Sequence, residues 1–233
     1  MKITYWSDYA CPFCYIGETR MKKAIAAMDT TEPIELEMKA FQLDPNAPRK
    51  SVGNMTDLFV RKYGFSPDEA EKRIDSITAM GRQEGLNFNF VDAQFVNTVD
   101  AHRLTKYAQS KEPEQADRLI EVLMDAYFGK NAALSEPDVL RCAAQSAGLN
   151  TEEAEKVIKF DTLYLDEVQQ DETEAYMRGV SSVPLFIIGD ERIAGADSIT
   201  RMKAALQKAL EKIIFVGCKI KLHRKNSIAE ALW

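Results

Sequence analysis

The chain has 233 residues, 45% of them hydrophobic and 28% charged, which excludes a disordered or fibrous protein and leaves room for one large domain or a domain with a substantial insert. A formal charge of −6 provides no overall attraction to nucleic acid or to an anionic membrane surface. No apolar run approaches the roughly 20 residues that span a bilayer, and the start from Met1 to Asp8 lacks the apolar stretch of a secretory signal, so a cytoplasmic protein is expected.

Lys2 to Trp6, rich in β-branched and aromatic residues and stopped by Ser7-Asp8, reads as a strand. Cys11-Pro12-Phe13-Cys14 follows at once. From Pro12 the apolar residues Ile16, Met21, Ile25 and Met28 fall at helical spacing until Asp29 to Pro33 breaks the pattern. Ile34 to Leu43 alternates as a second strand, which makes a β-α-β unit with the cysteines at the strand-to-helix turn. Past the break at Asp44-Pro45-Asn46-Ala47-Pro48, helical signals dominate. Ser66-Pro67-Asp68-Glu69 is a helix start with a capping serine, and Ser135 to Asp138 and Asn150 to Glu153 repeat the device. Leu119, Leu123, Ala126 and Tyr127 form an apolar helix face ending at Gly129. After Gly179 the β signal returns: Val183 to Ile188 and Arg192 to Gly195 read as two strands joined at Gly189-Asp190. A last helix starts at Asp197 or Ser198 and turns Ile199, Met202, Leu206 and Leu210 inward. The expected organisation is a discontinuous α/β core of residues 1–45 and 178–212, a helical insert over 46–177, and a basic, aperiodic tail over 213–233 to which no role is assigned.

Four cysteines in a chain of this length do not make a disulfide scaffold. Two of them form a Cys-x-x-Cys pair, and their position explains why they would react. The thiolate is the species that attacks a disulfide, and unpaired N–H groups at a helix start stabilise negative charge there. Pro12 at the first helical position removes only a donor that lacked a partner. Cys11 is therefore expected as the exposed nucleophile, with Cys14 about one turn further on as the resolving sulfur. The competing reading, half of a structural zinc site, needs two more ligands, and Cys142, Cys218, His102 and His223 show no paired spacing. His102 reads first as a helix histidine bonded to a carbonyl or carboxylate, with an active-site role as the alternative. Cys142 is expected as a buried small hydrophobe, Cys218 has no predicted partner, and the methionines read as core filling.

Three blocks carry a family resemblance: Tyr5-Trp6-Ser7-Asp8-Tyr9-Ala10-Cys11-Pro12-Phe13-Cys14-Tyr15-Ile16-Gly17, then Asn97 to Leu104, then Ser182-Val183-Pro184-Leu185-Phe186. In this order they resemble the DsbA-like thiol–disulfide oxidoreductases, in particular the FrnE-like branch, over about Ile3 to Leu210. The resemblance implies a thioredoxin-like fold with a large inserted all-helical domain and dithiol–disulfide exchange on protein or small-thiol substrates. It implies Cys11, Cys14 and a cis Pro184 lying against the pair as catalytic, and Pro12, Phe13 and Val183 as substrate contacts, Val183 through its backbone. No metal or organic cofactor is implied; glutathione or a thioredoxin system would reset the pair. Periplasmic relatives typically carry Pro-His between the cysteines, and Phe13 can neither donate a hydrogen bond to a thiolate nor carry charge, which implies a less oxidising pair. In a reducing cytoplasm such a pair serves reduction or isomerisation. The related 2-hydroxychromene-2-carboxylate isomerases and kappa-class glutathione transferases look similar at Asp197-Ser198, where they bind glutathione, but have serine at the place of Cys11. A glutathione-dependent isomerase or transferase is accordingly the first alternative. A non-catalytic module holding extended peptides on the Val183-Pro184 edge is the second.

Overall fold

The computed structural model describes residues 1–51 and 53–213; Cys218, His223 and the basic tail from residue 214 onward lie outside them. Strand β1 (Lys2–Ser7) leads into helix α1 (Pro12–Ala26) and strand β2 (Glu35–Ala40). Seven helices follow: α2 (Met55–Tyr63), α3 (Pro67–Gln83), α4 (Val99–Gln109), α5 (Pro113–Phe128), α6 (Pro137–Ser146), α7 (Thr151–Lys159) and α8 (Leu165–Met177). The chain then returns through β3 (Leu185–Ile188) and β4 (Glu191–Ala194) to α9, residues 199–213. The sheet order is β2-β1-β3-β4, with β1 parallel to β2 and antiparallel to β3. This is the expected α/β arrangement, with the helical stretch inserted between the second and third strands. Among the described residues no helix is long and apolar enough to cross a membrane.

The central strand is buried on both faces. Successive side chains of a strand point to opposite sides, and Tyr5 and Trp6 are both enclosed. Tyr5 stacks on Phe186, its direct partner in the β1–β3 register, at 5.2 Å between ring centres. On the other face the Trp6 indole donates to the Asp171 carbonyl at 3.0 Å. The buried Asp171 carboxylate accepts from Ala40 N at 2.8 Å and pairs with Lys39 and Lys106, so one acid joins α8 to β2 and α4. Arg103 is another buried charge. It donates to the carbonyls of Val157 at 2.8 Å and Phe160 at 3.1 Å, placing a cation at the negative end of α7.

Two helix starts form as the sequence indicates: Ser66 and Glu69 make a reciprocal capping box, and Asn150 accepts from Glu153 N. Ser135 departs from the expectation. Glu136 is the N-cap of α6, and the Ser135 hydroxyl turns away to the Arg49 carbonyl. Cys142 departs as well, being exposed and not a core residue. The buried side of α6 is Leu140, Ala143 and Ala144, and a residue two positions after Leu140 stands about 200° around a helix, on the opposite face.

Asp117 on α5 lies near Lys22, Glu18, Glu121 and Glu35; burial pushes its carboxyl up to about 6, Lys22 opposes this, and the neighbouring acids add to it. A carboxyl that holds its proton more tightly folded than unfolded costs stability as pH rises from its ordinary value through its folded one. Replacing Asp117 by Asn should therefore raise Tm at pH 8 by roughly 2–4 °C, about 1 kcal/mol after allowing for solvent screening. The gain should fade toward pH 4, and thermal unfolding across that range checks it.

Candidate active site

Strand β1 delivers the chain to a tight turn in which Cys11 N donates to the Asp8 carbonyl at 3.1 Å. Cys11 is the N-cap of α1, in extended conformation and with no side-chain capping bond, and Pro12 occupies the first helical turn. Cys11 thus stands at the start of the helix, where Cys14 N donates to the Cys11 carbonyl at 3.0 Å. From the other direction comes the Val183-Pro184 peptide, which is cis. Cys11 Sγ donates to the Val183 carbonyl at 3.4 Å. Gly17 makes the approach feasible: a Cβ built there would lie 3.0 Å from Pro184 Cγ and 3.4 Å from Ala196 Cα, so a residue without a side chain lets the proline ring settle on α1. Behind Cys11, the Cys14 thiol is fully enclosed. Burial pushes it well above its ordinary value and the adjacent Cys11 sulfur adds to this, with the Ser7 hydroxyl and the Asp8 backbone acting against.

One expectation requires correction. Cys11 is not an exposed nucleophile but is 4% accessible, because the cis-proline loop covers one side of the sulfur and the insert rises on the other. What remains open is the floor of a cavity of about 550 Å³, lined by Cys11, Pro12, Phe13 and Val183 from the core and by residues of α2, α3 and the segment before α4 from the insert. Pro184 stands behind this floor, against Gly17. Asp197 and Ser198 are exposed and do not line the cavity. Ser198 Oγ accepts from Arg201 N at 3.2 Å, which caps α9, and Asp197 Oδ1 accepts from Ser198 N at 2.6 Å.

His102 is fully buried, and it bonds a carboxylate, that of Asp8, at 3.3 Å. Asp8 is the site residue that the sequence reading passed over as a strand stop. Its Oδ1 accepts from Ala10 N at 3.3 Å, Thr98 Oγ1 at 2.8 Å and His102 Nε2, and its Oδ2 accepts from Leu43 N at 2.7 Å. A buried carboxylate is tolerable when its lone pairs are occupied in this way. One side chain so ties the cysteine loop to the end of β2 and to α4. The clue was available: Asp8 and His102 stand in separate blocks of the same resemblance. The insert aromatics that wall the cavity, Phe59, Tyr63, Phe65, Phe90 and Phe95, gave no such clue, since their spacing is that of any helix or loop core. Among the described residues no group of three or more His, Cys, Asp or Glu side chains is gathered as a metal ion requires.

Residues 2–207 match the family model of the DSBA-like thioredoxin domain. The chain is 28% identical over 200 residues, 83% of its length, to the uncharacterized protein YwbO of Bacillus subtilis (strain 168), of which the match covers 90%. Among solved structures it is similar to a probable DsbA oxidoreductase from Streptomyces coelicolor, with 30% identity, a TM-score of 0.84 and coverage of 91% of this chain and 90% of that one. A 2-hydroxychromene-2-carboxylate isomerase shares the fold at 16% identity, a TM-score of 0.67 and coverage of 93% and 99%. The expected thioredoxin-like fold is therefore the observed one.

Two substitutions probe the construction. Asp8→Asn would set an amide N–H₂ against the Leu43 N–H or against the donors around Oδ1, and should lower unfolding free energy by about 1–3 kcal/mol in a urea titration. Gly17→Ala forces the Pro184 ring off α1 by a few tenths of an ångström; it should slow the alkylation or exchange rate of Cys11 more than it lowers Tm.

Proposed function

This chain belongs to the DSBA-like thioredoxin domain family, and we propose that it is a thiol–disulfide oxidoreductase working through Cys11 and Cys14. The observation that carries the reading is the position of the Cys11 sulfur, between a helix start and the Val183 carbonyl at 3.4 Å, with a second, enclosed sulfur directly behind it. Cys11 in its thiolate form, the nucleophilic species, attacks one sulfur of a substrate disulfide. The other substrate half leaves as a thiolate, and a mixed disulfide joins the first half to Cys11. Cys14, held protonated by burial until then, loses its proton and attacks the Cys11 sulfur, releasing the substrate as a thiol and leaving a Cys11–Cys14 disulfide. Enclosure suits this second role, since Cys14 is shielded from other disulfides and within reach of one sulfur only.

No metal or organic cofactor enters this cycle. We assign the resetting of the pair to glutathione or a thioredoxin system in a cytoplasmic setting, where a reduced resting pair serves reduction or isomerisation of thiol-containing proteins and small molecules. The Asp197-Ser198 turn lies just beyond Gly195, whose N–H donates to the Pro184 carbonyl at 2.8 Å, and an incoming glutathione carboxylate would meet the start of α9 there.

Equilibration with glutathione buffers, followed by trapping and counting of free thiols, tests the reading together with insulin reduction. Cys11→Ser should abolish both signals. Cys14→Ser should accumulate the mixed disulfide, visible by mass. Phe13→His should make the pair more oxidising. Glutathione-dependent turnover undiminished by Cys14→Ser would overturn the dithiol mechanism in favour of an isomerase or transferase.

A further inference from the structure

The cavity above Cys11 has the capacity of a small-molecule site, about 550 Å³, and its walls are unusually aromatic. Phe59 anchors them, with ring centres 5.3 Å from Tyr63, 6.1 Å from Phe65 and 6.0 Å from Phe90. These rings form one continuous surface of faces and edges suited to a flat apolar occupant. At the mouth, Phe13 and Tyr63 remain 38% and 56% exposed, so apolar surface is left uncovered there.

Charge gives the cavity a direction. Asp8, Asp44, Lys62 and Arg73 line it. Asp8 is occupied by its hydrogen-bond donors, and Asp44 pairs with Lys62 at 2.7 Å. Arg73 differs. Its guanidinium lies 4.2 Å from the centre of the Phe65 ring, and among the described residues it has no carboxylate within ion-pair distance. The acid one turn earlier, Glu69, feels the Arg73 charge but is bonded to Ser66 N at 3.0 Å and Ser66 Oγ at 2.8 Å, which leaves the exposed Arg73 guanidinium without an ion pair among the described residues. A guanidinium laid on a ring keeps its edge N–H groups free to grip a carboxylate with two parallel bonds. Access narrows the choice further: Cys11, 4% accessible at the foot of a walled cavity, is reached more readily by a compact disulfide than by one set in a flat protein surface.

Resting on the exchange reaction above, we infer that the cavity selects low-molecular-weight disulfides bearing a carboxylate on an aromatic frame, and that Arg73 is the residue that reads the carboxylate. For such a disulfide, R–S–S–R, attack by Cys11 forms Cys11–S–S–R and expels R–S⁻. Attack by Cys14 on the Cys11 sulfur expels the second R–S⁻ and forms the protein disulfide. The two thiol protons pass to solvent, the two electrons lost by the cysteines reduce the substrate, and an external thiol such as glutathione restores the pair.

The test is single-turnover stopped flow on the reduced full-length chain with two aromatic disulfides. The first, 5,5′-dithiobis(2-nitrobenzoate), carries a carboxylate on each ring; the second, 4,4′-dithiodipyridine, carries none. Each rate is divided by that of N-acetylcysteine with the same reagent, which removes intrinsic reactivity. The carboxylate reagent should saturate, and Arg73→Gln should raise its half-saturating concentration about tenfold while the maximal rate and the dithiodipyridine rate stay unchanged. Arg73→Lys, which keeps the charge but loses the two-pronged, ring-stacked guanidinium, should recover only part of the loss. A linear concentration dependence for both reagents, equal changes in both on Arg73→Gln, or insulin reduction that outpaces the normalised carboxylate reagent would overturn the inference. Failure of every disulfide, 2-hydroxyethyl disulfide included, would instead overturn the exchange reaction itself.

Discussion

The molecule is organised around the meeting of Cys11 with the Val183-Pro184 peptide, a contact between residues 172 positions apart in the chain. Sheet pairing brings it about. Because β3 runs antiparallel to β1 with Leu185 opposite Trp6, the turn that follows β1 and the turn that precedes β3 fall at the same edge of the sheet. The Tyr5–Phe186 stack holds that pairing from within the core, and the missing side chain at Gly17 lets α1 close on the proline. Disturb any of these and the sulfur would still stand at a helix start, but it would lose the surface that presents a substrate to it.

A second constraint is polar. The loop from Asp8 to Cys11 is too short to have a core of its own, and it is held by the Asp8 carboxylate bonded to Ala10, Leu43, Thr98 and His102. Buried acids are expensive unless every lone pair is used, and this one uses them to join the core to the insert. The position of the insert over Cys11 is thereby tied to the geometry of the cysteine loop. Asp171 performs a similar service on the far side of β1, where it binds α8 and α4 to the sheet.

In the proposed exchange reaction, chemistry and selection are divided between these two parts. The core supplies the paired sulfurs, the helix start and the cis-proline loop. The insert supplies most of the wall of the cavity in which a substrate would sit, through α2, α3 and the chain leading into α4.

Much of this was legible from residue order. The β-α-β start, the helical middle, the closing strands and the Cys-x-x-Cys at a helix start follow from apolar periodicity, proline placement and capping residues, which act over a few neighbouring positions and so leave their mark locally. Even there, local signals misled twice: Ser135 found a distant carbonyl in place of its own helix, and Cys142 fell on the exposed side of α6. Tertiary structure alone decided that Cys11 is covered and not exposed, that Asp8 is a hub and not merely a strand stop, and that aromatic residues scattered from Phe13 to Phe95 line one cavity together with Arg73. Those features depend on which segments pack together, and packing is settled by burial and hydrogen bonding among residues far apart in the chain, for which spacing along the sequence carries no signal.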